Sequence, residues 1–169
     1  KNKNMKLDEL QEAVKAVDRS EIQKFINVVS QHEKIIIIGN GGSNAIASHI
    51  SQDYTKQLKK KAFSFSDPSR LTCYINDYGM EKAYAQFLDE FASQEDLVIL
   101  ISSSGNSPNV LNAAKHCIQH KIKFVILTGF DYNNKLNAYE KLTEASFWVD
   151  SKSYGVVECV HQIILHTPC

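Results

Sequence analysis

The chain has 169 residues, 43% of them hydrophobic and 22% charged, which suits one globular domain with a real core and is too short for two ordinary ones. Nineteen basic residues balance nineteen acidic ones, for a formal net charge of zero. That balance argues against a nucleic-acid binder, which carries a basic excess, and removes one barrier to self-association.

The polar opening Lys1-Asn2-Lys3-Asn4-Met5 predicts no secretory leader. Residues 6 to 32 then carry apolar positions at helical spacing: Leu7, Leu10, Ala13, Val14 and Val17, then Ile22, Phe25, Ile26 and Val29. Asp18, Arg19 and Ser20 interrupt the pattern, so two helices are expected. Lys34–Gly39 is an unbroken β-branched run closed by glycine, the mark of a parallel strand covered on both faces. Asp96–Ile101 and Phe124–Gly129 repeat it, with shorter candidates at Ala62–Phe65 and Ala145–Val149. Helical stretches are expected at 44 to 58, 80 to 92, 108 to 120, 134 to 142 and 155 to 166. Strand and helix alternate five times, which predicts an α/β fold: one doubly wound, five-stranded parallel sheet behind N-terminal helices.

Cys73, Cys117, Cys159 and Cys169 form no CxxC pair and read as reduced thiols. No apolar run approaches the roughly 20 residues of a membrane span, so neither membrane nor nucleic acid is an expected partner. A cytoplasmic setting is the expectation.

Ligands bind such sheets beyond the carboxyl ends of the strands. Gly39-Asn40-Gly41-Gly42-Ser43 joins the first strand to a helix, with glycines that let backbone approach an anion and a serine that offers a hydroxyl. Ser102-Ser103-Ser104-Gly105-Asn106-Ser107-Pro108-Asn109 sits likewise after a later strand. Its hydroxyls beside a helix N-terminus make a neutral cradle for a phosphate monoester. The first loop fails G-x-G-x-x-G and lacks a Walker lysine, so a small phosphorylated ligand fits better than a nucleotide.

His49 and Asp53 are four residues apart, a turn of about 400°, and share one helix face. On the last helix Glu158, His161 and His166 stand at i, i+3 and i+8, with Glu158 and His166 roughly 80° apart. Two histidines with two carboxylates suit Zn²⁺ or a similar divalent ion, and would equally serve as a metal-free acid/base set.

The strings GNGGS at 39 to 43, SDPSRLTCYINDYG at 66 to 79 and ISSSGNSPNV at 101 to 110 resemble the phosphoheptose isomerases, a branch of the sugar-isomerase (SIS) domain superfamily. The resemblance runs from about residue 20 onward. It implies an SIS domain over 33–169 with flavodoxin-like strand order. Residues 1–32 would form a helical segment that packs on this domain and in oligomerisation. It further implies isomerisation of sedoheptulose 7-phosphate to D-glycero-D-manno-heptose 7-phosphate in heptose biosynthesis, by a zinc-binding homotetramer with active sites between subunits. The implied metal ligands are His49, Asp53, Glu158 and His166, with Asp53 and His166 as the catalytic pair. Implied phosphate contacts are Ser43, Ser102, Ser103, Ser104 and Ser107, beside Gly41 and Gly42. Asn40, Asp67, Ser69, Asp77 and Glu158 match positions around the sugar.

The chain departs from that pattern in four places. Asp53 stands where the family has a longer glutamate, and Glu158 where it has glutamine. Tyr54-Thr55-Lys56-Gln57 lacks the arginine that follows the carboxylate, and Ser153–Val157 lacks an Asp-Arg pair. A non-catalytic SIS module that binds a phosphosugar or a protein partner is the alternative reading.

Overall fold

The computed structural model describes residues 5–169. Five parallel strands form one sheet: β1 (Lys34–Gly39), β2 (Lys61–Ser64), β3 (Leu97–Ser102), β4 (Lys123–Gly129) and β5 (Ala145–Val149), in the order β2-β1-β3-β4-β5. This is the doubly wound, flavodoxin-like order that the alternating pattern predicts. The direction of winding reverses between β1 and β3, where Gly39 at the end of β1 pairs with Ile101, one residue before the end of β3.

The β-branched runs are buried on both sides because successive side chains alternate between faces. Ile35, Ile37, Leu97, Ile99 and Ile101 enter one core, and Ile36, Ile38, Val98 and Leu100 the other. Over the first face lie α1 (Met5–Lys15), α2 (Arg19–Ser30), α3 (Gly42–Leu58) and α7 (Tyr154–His166). The second is covered by α4 (Pro68–Tyr78), α5 (Ala83–Phe91) and α6 (Pro108–His120).

The N-terminal segment packs as two helices, α1 on α7 and α2 on β5. Asp18, within the interruption of the pattern, starts α2 by accepting a hydrogen bond from the Ser20 amide at 2.8 Å. Glu21 then accepts the Ser146 amide of edge strand β5 at 2.9 Å.

Two elements differ from expectation. Residues 68–78, read only as a motif, form α4, with Asp67 accepting from the Arg70 amide at 2.9 Å and Pro68 at the first helical position. The expected helix at 134 to 142 is a short 3₁₀ helix, Asn137–Leu142. Its entry is tied down instead by Asn134, whose side chain accepts the Asn137 amide at 2.7 Å. No described helix is long and apolar enough to cross a membrane.

Candidate functional site

The two loops predicted to hold phosphate meet at the switch point between β1 and β3. Gly41, at φ 53°, turns the chain into α3, whose start carries no side-chain cap. Gly105, at φ 65°, makes the equivalent turn before α6, whose start at Ser107 is also uncapped by a side chain. Uncapped helix starts present free amides and the positive end of the helix dipole to whatever lies between them. Between them is a cleft of about 240 Å³ lined by Asn40, Gly41, Gly42, Ser43, Ile101, Ser102, Ser103, Ser104, Ser107, Tyr154 and Glu158.

All five serines assigned to phosphate line this cleft, as do Gly41 and Gly42. The Ser103 hydroxyl is buried without a protein partner, so the cleft holds a polar atom that a ligand would satisfy. Ser102 Oγ accepts the Gly105 amide at 3.1 Å and lies 3.5 Å from Ser107 Oγ, which holds the loop in a tight arc.

Asn40 also lines the cleft, but its amide joins the loops. It exchanges two hydrogen bonds of 2.9 Å with the Asn109 amide, and its Oδ1 accepts a third from Tyr84 Oη. The single Tyr84 hydroxyl proton is shared with the Gly39 carbonyl, 2.7 Å from Oη, and burial pushes the phenol up to about 12.

Further along the groove, His49 and Asp53 on α3 face His166 on α7. Asp53 Oδ2 lies 3.3 Å from His49 Nε2 and 3.7 Å from His166 Nδ1, and the two imidazole centroids are 5.4 Å apart. Ligand atoms of all three lie within 4.8 Å of one another, a group that could hold a metal ion. Two imidazoles and a carboxylate form the three-ligand set of a catalytic divalent-metal centre, and this donor chemistry fits such an ion.

The glutamine Gln162 was missed by the motif reading. Its Nε2 lies 2.9 Å from His49 Nδ1 and 3.3 Å from His166 Nε2, on the side of the rings away from Asp53. When Gln162 donates to both, the remaining ring protons point at Asp53; with the amide reversed, both lone pairs do. The signal was the i, i+4 spacing of Gln162 and His166, hidden among apolar neighbours.

Glu158, expected with the metal ligands, lies outside this group. It sits two helical turns before His166, against Gly42, where an added Cβ would collide with its carboxylate. It therefore stands in the serine cleft, and a shallow groove lined by Gly42, Glu158, Gln162 and His166 leads from there to the histidines. His161 is not part of the site. It is fully buried, places Nε2 2.8 Å from the Thr128 carbonyl, and is held neutral because burial lowers its pKa to about 4.

Asp67, Ser69 and Asp77 do not line the serine cleft. Asp67 is the α4 cap and reaches a separate open groove with His49; Ser69 and Asp77 are exposed on α4. Tyr154, the exposed first residue of α7, does line the cleft and is the one aromatic side chain there. It lies in the segment where the family's Asp-Arg pair is absent.

A family model described as the SIS domain matches residues 4–129. A phosphoheptose isomerase of Fusobacterium nucleatum is 36% identical over 149 residues, 85% of this chain and 75% of that protein. The chain belongs to the phosphoheptose isomerase family of SIS-domain enzymes. A Helicobacter pylori phosphoheptose isomerase is 32% identical over 169 residues, 96% of this chain and 84% of the other. The solved phosphoheptose isomerase of Neisseria gonorrhoeae superposes with a TM-score of 0.89 at 28% identity, covering 98% of this chain and 91% of that one.

Proposed function

We propose that this protein is an aldose-ketose isomerase of a sugar phosphate, with sedoheptulose 7-phosphate as substrate and D-glycero-D-manno-heptose 7-phosphate as product. One observation carries the reading: a phosphate cradle at the start of α3 and an acid/base cluster two turns further along it are held apart on the same helix. Gly42 and His49 are seven residues apart on α3, roughly 10 Å of helix axis. A seven-carbon chain extended from its phosphate spans roughly the same length, from C–C bonds near 1.5 Å. A ketose phosphate anchored in the serine cleft thus presents its far, carbonyl end to Asp53, His49 and His166.

Isomerisation moves a carbonyl from C2 to C1, which needs a proton lifted from C1 and returned at C2 while a hydroxyl proton changes oxygen. Asp53 is the base that takes and returns the carbon-bound proton, and His166 passes the oxygen-bound one, through an enediolate. Asp53 Oδ2 and His166 Nδ1 lie 3.7 Å apart, so both groups can serve the same end of the sugar. In a metal-assisted form of the site, His49, Asp53 and His166 would hold zinc, which would supply positive charge beside the developing oxyanion in place of the proton carried by His166. In that role Gln162 fixes the orientation of both imidazoles.

The reading extends to a cytoplasmic homotetramer in which Asp67, Ser69 and Asp77 complete the sugar site of a neighbouring chain. The lack of any buried residue on α4, and the distance of its polar groups from the cleft of their own chain, support that assignment. The N-terminal helices 1–32 are assigned to the same contacts.

The test is turnover of sedoheptulose 7-phosphate followed by NMR, together with Asp53→Asn and Ser103→Ala. Asp53→Asn should abolish kcat while leaving phosphosugar binding intact; Ser103→Ala should chiefly raise KM. Tight phosphosugar binding with no turnover of any ketose phosphate by the unaltered protein would instead establish the non-catalytic module.

A further inference from the structure

A second cluster of metal-ligating side chains lies at the other end of the molecule. Asp89 on α5 and His116 and His120 on α6 bring one ligand atom each to within 4.8 Å of the others. His116 and His120 are one turn apart on the same face, with rings stacked at 4.1 Å and 22° between planes. Each helix precedes a strand, α5 before β3 and α6 before β4, so their C-terminal ends meet at the amino edge of the sheet. That is the edge opposite the serine cleft.

We propose that Asp89, His116 and His120 form a second divalent-metal site that clamps α5 to α6. The donor set is chemically sufficient: an i, i+4 histidine pair on a helix is a chelate for zinc, nickel or copper, and a carboxylate from a packed neighbour adds a third ligand and a negative charge. The position favours a cation for a further reason. Two helix C-termini converge there, so the negative ends of both dipoles face the cluster. Geometry needs little adjustment. Ligand atoms around a tetrahedral zinc sit about 3.4 Å apart, from bonds of about 2.1 Å, so the exposed side chains of Asp89 and His120 close the remaining gap on the partly buried His116 by rotamer change. The fourth position is left to water. Because the cluster is remote from the serine cleft, its role is mechanical: it ties together two of the three helices that cover the second face of the sheet. The proposal does not depend on the catalytic reading.

The experiment is a zinc titration of chelator-stripped protein against a chromophoric competitor, with thermal melts alongside. A His49→Ala/His166→Ala protein, lacking the first cluster, should still bind one equivalent of zinc and melt at a higher temperature with it. Adding His116→Gln and His120→Gln should abolish that equivalent and the shift. His120→Gln alone in the otherwise unaltered chain guards against misfolding, since His120 is exposed. It should lower the zinc stoichiometry by one equivalent, leave isomerase turnover unchanged, and match the parent melt in chelator. Absence of zinc binding in the His49→Ala/His166→Ala protein, or an equivalent that survives loss of both His116 and His120, overturns the proposal.

Discussion

Glu158 places a carboxylate inside a cleft whose other polar groups are hydroxyls and amides suited to an anion. Its charge opposes a phosphate there, and the opposition is strong because the cleft is partly closed to water. Glu158→Gln keeps the shape and removes the charge, so it should lower KM for the phosphosugar several-fold with kcat little changed, read from steady-state kinetics. His161 tests a different kind of burial. Its pKa falls to about 4 in the folded chain, below the ordinary value of 6.5, because it is wholly desolvated. The unfolded state therefore binds the proton more readily between those values. Stability is complete above about pH 6.5 and declines as pH falls toward 4, by at most about 3 kcal/mol from this group. Urea melts at pH 7 and pH 4.5 should show the loss, and His161→Gln should flatten it. At this scale the sequence announces His49, Asp53 and His166 because their types and spacing match a metal or acid/base set. It conceals the difference between His161, turned to the core, and His166, five residues later and turned to Asp53. Which way α7 faces is decided by its neighbours, through the His161 contact with the Thr128 carbonyl and the Tyr54 bond to the Leu165 carbonyl, and Gln162 has no chemical signature until both imidazoles are seen beside it.

Between elements, the site depends on the register of α3 against α7. Tyr54 is the pin: it is fully buried on α3 beside Asp53 and donates to the Leu165 carbonyl at 2.7 Å, next to His166. Burial raises its phenol pKa, so it remains a donor at all ordinary pH. Tyr54→Phe leaves that carbonyl unsatisfied and should cost about 1–2 kcal/mol in urea melts. It should also lower kcat more than it raises KM, since the phosphate cradle stands on the far side of the cluster from it. The strands were legible because β-branched residues in unbroken runs leave no surface face, and the loops because glycine and serine gather after them. Helix α4 was not, although Asp67 and Pro68 are a cap and a first-turn proline. Its apolar positions Leu71, Tyr74 and Ile75 are only half covered, which leaves a weak periodic signal.

For the whole molecule, the proposed tetramer makes a prediction about which chain supplies each carboxylate. Asp53 belongs to the cleft's own chain, and Asp77 stands on the outward helix. If each site takes Asp77 from a neighbour, Asp53→Asn and Asp77→Asn chains are each inactive alone. Equal amounts unfolded and reassembled together should recover about a quarter of the parent activity, because one site in four receives both intact groups. Recovery of none would place both residues in the same chain's site. Self-association on this scale is eased by the balanced charge of the chain, which gives copies no net repulsion.

The clasp between Asn40 and Asn109, backed by Tyr84, has a consequence for the pace of capture. The receptor's walls are locked to each other during folding, so little disorder remains to be lost when an anion arrives. Entry should be a single rapid step, limited by encounter rather than by rearrangement.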